Sequence, residues 1–334
     1  MGVLIIAEVG INHNGDLTIA KEMVHEAKMA GADIVKFQTF VPEQELSQYT
    51  PLTDYQRKNT RDQDFQYQID MIKKYELSTD EFRQIKEYCE KEKIMFLSTA
   101  SELVSIETLN RMNPQLWKVP SNEITDYPYL KRIGQFHKPV IMSTGISTLE
   151  EIGAAMKVLK ENGAGKITLL HCTSEYPAPY EEVNLQAMQT LKNEFGCEVG
   201  YSDHTPGIEI SLAAVALGAT VIEKHFTLDK NMSGPDHKAS IDISELRQLV
   251  KSIRNIESAL GDGIKRVTVS EAKNKEIMRK SIVARRNISK GEILSEKNIT
   301  TKRPGNGISP MNWEKILGSV ASRDYKEDEM ICEV

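Results

Sequence analysis

Eight short apolar runs alternate along the chain with stretches whose apolar residues return every three or four positions. The runs are VLIIAEV (3–9), DIVKFQT (33–39), IMFLST (94–99), LWKVP (116–120), PVIMST (139–144), KITLLHC (166–172), EVGYS (198–202) and TVIEKHF (220–226). Runs that are apolar on both faces suit parallel strands covered by helices. The stretches between them carry helix start and stop signals. LTIAKEMVHEAKMA aligns Leu17, Ala20, Val24 and Ala27 near one stripe and stops at Gly31. TDEFRQIKEYCEKEK opens beside Ser78 and Thr79, either of which can cap it. STLEEIGAAMKVLKENG has a hydroxyl with a carboxylate three residues on, and ends at Gly163. SLAAVALGA closes at Gly218, and SELRQLVKSIRNIESALG at Gly261. Eight strands and eight helices over about 260 residues match a TIM (β/α)8 barrel, an α/β fold, in count and length. The alternative is an open doubly wound sheet. That fold usually places a glycine-rich phosphate turn after its first strand, and EVGINHNGD is not GxGxxG.

Two segments depart from the alternation. Residues 40–78 are longer than a barrel connection needs and polar, which suits a lid or an oligomer contact. After residue 262 the texture changes. The expected division is a barrel domain over 1–262, a charged and partly helical linker over 263–280, and a small β-rich domain over 281–334, whose short strands are broken by Lys-Gly and Pro-Gly-Asn-Gly turns.

In a TIM barrel, chemistry sits where the strands end. Here every predicted strand end is polar: Glu8 with Asn12, His13 and Asn14; Lys36 and Gln38; Ser98 and Thr99; Lys118, Ser121 and Glu123; Ser143 and Thr144; His171, Thr173 and Ser174; Ser202, Asp203 and His204; Glu223, Lys224 and His225. One polar end is chance; eight at one rim argue for a large polar site. His204 and His225 end adjacent strands, so their imidazoles can meet over one point and hold a borderline divalent metal. The bland alternative is that each satisfies a local hydrogen bond. Glu223 shares a strand face with His225 and is a ligand, an orienter or a general base. Lys36 and Lys118 lie within apolar strands, where an uncompensated ammonium is costly. A bound phosphate or carboxylate would offset that cost; pairing with Glu8 or Glu123, or a Schiff-base role, are the alternatives. Lys224 either points outward into the helix layer or pairs with an acid.

Composition narrows the partner class. Hydrophobic residues make up 40% and charged residues 27%, with 42 basic against 48 acidic side chains for a net charge of −6. These values exclude a disordered tail, a collagen or a disulfide-dense scaffold. They give no electrostatic reason to expect nucleic acid or an anionic membrane as partner. No apolar run approaches the roughly 18 residues of a membrane span. MGVLIIAEVG has no basic region before its apolar run, and Glu8 interrupts that run, so no signal peptide is expected. Cys89, Cys172, Cys197 and Cys332 form no CxxC pair, which suits reduced thiols in the cytoplasm.

The motifs IAEVGINHNGD, VKFQTF, WKVPSNE, MSTG, LLHCTSEYPAPYEEVNL, GYSDHT, VIEKHFTLDKNMSGPDHKAS and KRPGNGISP occur in the order seen in the bacterial sialic acid synthase family. The resemblance covers essentially the whole chain, and its C-terminal part resembles that family's antifreeze-like (SAF) domain. It implies a transferase that condenses phosphoenolpyruvate with an open-chain N-acetylated hexosamine and releases phosphate. The sugar would be N-acetylmannosamine or 2,4-diacetamido-2,4,6-trideoxymannose. It implies His204 and His225 as ligands of a divalent metal, usually Mn²⁺, with Mg²⁺ or Co²⁺ as substitutes. Phosphoenolpyruvate contacts fall on Lys36, Thr99, Lys118, Ser121, Ser143, Ser174 and Ser202. Sugar contacts fall on Glu8, Tyr176 and Asp236, and Glu123 matches a carboxylate near the reacting centre. Arg303 matches an arginine that reaches the N-acetyl group from the partner chain, which implies a domain-swapped homodimer. The chain departs from the family pattern at Thr99-Ala100-Ser101, where TPF is expected, and at Pro120-Ser121-Asn122-Glu123, where PSGE is expected. These changes leave the reaction class alone and bear on the shape of the sugar pocket. Other readings of the same residues are a phosphoenolpyruvate-dependent aldol synthase of a different sugar and a non-catalytic carbohydrate-binding protein.

Overall fold

The eight apolar runs form one closed parallel sheet in a computed structural model that describes residues 2–60 and 65–332. The strands are β1 Leu4–Gly10, β2 Ile34–Thr39, β3 Met95–Ala100, β4 Trp117–Val119, β5 Val140–Ser143, β6 Ile167–His171, β7 Glu198–Asp203 and β8 Val221–His225. Strands β1 and β8 pair in parallel, which curls the sheet into a barrel, and β3 and β4 face each other across the remaining seam. The helical layer is α1 Leu17–Ala30, then α2 Pro42–Glu45, α3 Asp54–Asn59, α4 Gln68–Lys73 and α5 Thr79–Glu92 between β2 and β3. It continues with α6 Leu103–Arg111, α7 Tyr127–Gly134, α8 Leu149–Glu161, α9 Ala187–Phe195, α10 Glu209–Ala216 and α11 Ile243–Leu260. The fold is the expected TIM barrel. Capping follows the sequence signals: Ser78 and Glu81 form a capping box on α5, as do Thr148 and Glu151 on α8. Gly31 closes α1 in the left-handed conformation, at φ 88°.

Strand parity decides what the barrel holds. Ile6, Ile34, Leu97, Ile141, Leu170 and Val221 point inward and fill the lower barrel as one buried cluster. The alternate residues, among them Ala7, Val35, Phe37, Val119, Met142, Leu169 and Ile222, pack against the helices. Gly200 leaves room in a crowded interior, since a Cβ there would meet the Val221 carbonyl oxygen at 2.4 Å.

The long 40–78 connection builds a small core of its own. Leu52, Met71 and Tyr75 pack with Phe40 and with Ile11 of the β1–α1 loop. Residues 61–64 of this connection lie outside the described residues.

The chain divides into two compact units, one ending at Gly261 and one beginning at Asp262. The segment expected as a linker therefore groups with the second unit, where α12 (Val269–Met278) occupies its middle. Further on, β9 (Ser281–Ala284) and β10 (Ile299–Lys302) pair antiparallel, and α13 spans Trp313–Ile316. Ile282, Ala284, Ile288, Leu294, Ile299, Tyr325 and Ile331 form a separate core.

Candidate active site

The interior faces of the strands become polar two residues beyond the apolar plug. Ile6 is followed by Glu8, Ile34 by Lys36, Leu97 by Thr99, Leu116 by Lys118, Ile141 by Ser143, Gly200 by Ser202 and His204, and Val221 by Glu223 and His225. All of these line one cavity of about 260 Å³, together with Ser121, Ser174 and Tyr176.

The floor is a network of four buried charges. Lys36 Nζ lies 2.9 Å from Glu8 and 3.7 Å from Glu223, and donates to Thr99 Oγ1 at 3.1 Å. Lys118 Nζ donates to Ser143 Oγ at 2.6 Å and lies 3.9 Å from Glu223. Ser202 donates to Glu223 Oε1 at 3.1 Å, which leaves Glu223 Oε2 buried without a hydrogen-bond partner. Burial opposes every one of these charges. At Lys36 the adjacent Glu223 and Glu8 outweigh it and hold the ammonium above its ordinary pKa. At Glu223 burial is outweighed by Lys118 and Lys36, which keep the carboxyl below its ordinary value. At Lys118 burial prevails and the pKa falls, while Glu8 is pushed up to about 7, chiefly by burial. So the pairing alternative holds for Lys36 with Glu8, but Glu123 pairs with neither lysine.

Above this floor stand the two imidazoles, their ring centres 5.7 Å apart, with Tyr176 packed on His204 at 4.2 Å. His204 Nδ1 lies 2.6 Å from the Thr173 carbonyl oxygen. A carbonyl only accepts, so Nδ1 carries the hydrogen and Nε2 keeps a lone pair. His225 Nδ1 is buried and unpartnered. Burial drives both imidazoles below their ordinary pKa, and at His225 the neighbouring His204 and Lys36 add to it. One tautomer fixed by a backbone bond and one orphaned ring nitrogen are what a divalent cation needs from two histidines, so the pair fits a metal. Among the described residues no group of three or more His, Cys, Asp or Glu side chains gathers to hold one. The remaining coordination positions would fall to substrate and water.

Gly145 brings backbone into the site. Its N–H donates to Ser121 Oγ at 2.9 Å, and a Cβ would lie 2.2 Å from Ser174 Oγ.

Three expected residues lie elsewhere. Glu123 is not among the lining residues and accepts from Asn122 Nδ2 at 2.7 Å. Its carboxyl is pushed up to about 7 by burial and by Asp126 and Glu45. Asp236 is buried close to Tyr55 and Tyr176, and burial raises it to about 6. Arg303 is exposed on the second unit. Other polar strand ends serve the scaffold. His171 Nε2 donates to the Val183 carbonyl at 2.7 Å, and Asn12 Nδ2 donates to the Phe226 carbonyl and Ser240 Oγ. The cavity also has lining residues that the sequence did not single out as contacts: Gln38, Glu45, Ser101, Asn122 and Cys172.

Lys224 faces away from the cavity and pairs with an acid. Its Nζ lies 2.9 Å from Asp203 Oδ2 and donates to the Thr205 carbonyl at 2.5 Å. Asp203 in turn accepts from the Thr205 N–H and hydroxyl and from Ser211 Oγ. This buried network braces the turn that carries His204. Removing one partner of such a pair strands a buried charge, so Lys224→Met is expected to destabilise the barrel by about 3–5 kcal/mol. Chemical denaturation measures it; an unchanged midpoint would show that the pair does not brace the turn.

With this geometry in place, comparison with known proteins is informative. The NeuB family model matches residues 23–265, and the SAF domain model matches residues 279–332. The N,N'-diacetyllegionaminic acid synthase of Campylobacter jejuni is 54% identical over 332 residues, covering 99% of each chain. Its namesake from Legionella pneumophila is 44% identical over 323 residues, covering 96% of this chain and 90% of that one. The crystal structure of N-acetylneuraminic acid (sialic acid) synthetase from Leptospira borgpetersenii in complex with citrate superposes with a TM-score of 0.72 at 34% identity. That match covers 82% of this chain and 90% of the other.

Proposed function

The chain belongs to the NeuB family, and on that premise we propose that it is a nonulosonic (sialic-type) acid synthase, joining phosphoenolpyruvate to an open-chain N-acetylated hexosamine with uptake of water and release of phosphate. The observation that carries this reading is the division of one cavity into two chemistries. Lys36 and Lys118, with the hydroxyls of Thr99 and Ser143, suit the phosphate and carboxylate of phosphoenolpyruvate. His204 and His225, beside Tyr176, suit the aldehyde end of the sugar. Relatives that make N,N'-diacetyllegionaminic acid favour 2,4-diacetamido-2,4,6-trideoxymannose over N-acetylmannosamine as that sugar.

In this reading the two lysines neutralise the anion and bring the enol carbon to C1 of the sugar. Ser121, Ser174 and Ser202 add neutral donors that orient the same anion, and Glu223 holds the two ammonium groups together from below. Glu8, Tyr176 and Asp236 take sugar hydroxyls. His204 and His225 would hold a divalent cation, Mn²⁺ first and Mg²⁺ or Co²⁺ as substitutes, which when bound supplies Lewis acidity at the aldehyde oxygen. Carbon–carbon bond formation leaves a cationic C2, water adds there, and the tetrahedral product loses phosphate by C–O cleavage. Glu123, which accepts from the cavity-lining Asn122 through one oxygen, is the carboxyl offered to take a proton from that water with its other.

The reading extends to assembly and place. A domain-swapped homodimer would bring Arg303, exposed on the second unit, to the acetamide of a sugar in the other protomer's barrel. Four unpaired cysteines agree with a cytoplasmic enzyme. Among the described residues no helix is long and apolar enough to cross a membrane.

The deciding experiment measures phosphate released from phosphoenolpyruvate with each sugar. We expect release to require sugar, to match the sugar acid formed one to one, and to favour the diacetamido sugar at least about tenfold in kcat/KM. That tenfold equals about 1.4 kcal/mol of transition-state binding. Release with neither sugar would overturn the assignment.

A further inference from the structure

The 40–78 connection sends one side chain into the cavity. Glu45, the last residue of α2, lines it together with Lys36, Lys118 and the two histidines. Its Oε2 is buried and has no hydrogen-bond partner. Burial is the first cause that pushes its carboxyl up to about 7; Glu102 adds to this, and the Ser101 hydroxyl pulls the other way.

The surroundings explain why this carboxyl is available. Glu102 is fully committed: it caps α6 through the N–H groups of Val104 and Ser105 and accepts from the Val41 N–H at 3.3 Å. That last bond ties down the start of α2 and so fixes where Glu45 stands. Glu123, the other carboxyl nearby, accepts from Asn122 and is not among the lining residues. Glu45 is thus a half-buried acid on the wall of a site that must receive two substrates, with the Ser101 hydroxyl on its carboxyl and one oxygen, Oε2, buried without a hydrogen bond. A buried acceptor left unmade is costly unless a ligand satisfies it.

Charge decides which substrate that is. Phosphoenolpyruvate carries phosphate and carboxylate, and Glu45, pushed up to about 7, would repel it in its ionised form. The sugar is neutral and presents only hydroxyl and amide N–H groups as donors. Resting on the synthase reading, we propose that Glu45 is a substrate-contacting, specificity-determining residue, whose carboxylate accepts a hydrogen bond from a hydroxyl or acetamido N–H of the acceptor sugar. The segment that lengthens the β2–β3 connection is then part of the sugar site.

The test splits the two Michaelis constants. Glu45→Ala removes the acceptor, and Glu45→Asp withdraws it by one methylene while keeping the charge and the surface. With whichever sugar the wild type turns over, we expect Glu45→Ala to raise the sugar KM at least tenfold and Glu45→Asp at least threefold. The KM for phosphoenolpyruvate should stay within twofold in both. If Glu45→Ala does not fold, the Asp variant decides alone. A sugar KM raised less than threefold in every variant that folds overturns the proposal, and so does an equal rise in the phosphoenolpyruvate KM. A wild type that releases no phosphate with either sugar removes the synthase reading and the inference with it, an outcome distinct from an active wild type with unaffected variants.

Discussion

His225→Ala is expected to lose about 10³-fold or more in kcat/KM while the barrel stays folded. The loss follows from what the ring does in the structure. A buried imidazole kept for packing would place its nitrogens on partners, as His171 does with the Val183 carbonyl. His225 instead leaves Nδ1 bare at the end of β8, with its ring centre 5.7 Å from that of His204. In the synthase reading those two rings hold a cation whose Lewis acidity contributes several kcal/mol, and about 4 kcal/mol corresponds to roughly 10³-fold. The ring borders an open cavity, so its removal should shift the melting temperature little. Phosphate-release kinetics and metal content after dialysis measure the effect; normal activity with unchanged metal content would end the assignment. The same variant tests assembly. Mixed with Arg303→Ala under conditions that exchange subunits, each heterodimer should recover about half the activity of a wild-type dimer if each site is built from two chains and the sites are independent, because one of its two sites then keeps both residues. Demonstrated exchange without recovery would mean that sites are not shared.

Lys118→Met is expected to lower kcat/KM for phosphoenolpyruvate about 10²-fold while leaving the sugar KM within about threefold. Methionine keeps most of the volume and removes the charge. A charge-assisted hydrogen bond contributes about 1.5–3 kcal/mol, which is roughly 10- to 150-fold. The change also takes from Glu223 the larger of the two positive neighbours that keep it ionised, so part of the lost positive charge is offset as that carboxyl becomes easier to protonate. The lowered pKa of Lys118 would equally suit a Schiff-base nucleophile. Borohydride treatment in the presence of both substrates separates the roles. We expect no covalent adduct; one at Lys118 or Lys36 would replace the anion-binding account with aldolase chemistry.

Much of this site was legible before any coordinates, because strand parity is local. Once Ile6, Ile34, Ile141 and Val221 are recognised as apolar positions on strands, counting by two places Glu8, Lys36, Ser143, Glu223 and His225 on one face. The helix boundaries were legible for the same reason, since a capping box or a left-handed glycine acts over three or four residues. Parity fails where the strand stops. Strand β4 ends at Val119, and the 3-10 turn at Ser121–Glu123 puts Ser121 in the cavity lining and leaves Glu123 out of it. His171 belongs to the outward parity and is spent on a backbone carbonyl. Whether Lys224 meets an acid was open, because Asp203 lies on the neighbouring strand and only the β7–β8 register sets the two side by side, at 2.9 Å. Glu45 lay beyond any periodic argument, in an irregular connection with no repeat to count along; its place depends on a bond from Val41 to Glu102 across 61 residues. The sequence alone therefore determined the barrel, its inward polar face and the pairing of cationic with imidazole chemistry, since each follows from a local period. Tertiary structure decided which carboxylates reach the cavity, because that depends on where turns break the period and on contacts between segments far apart in the chain.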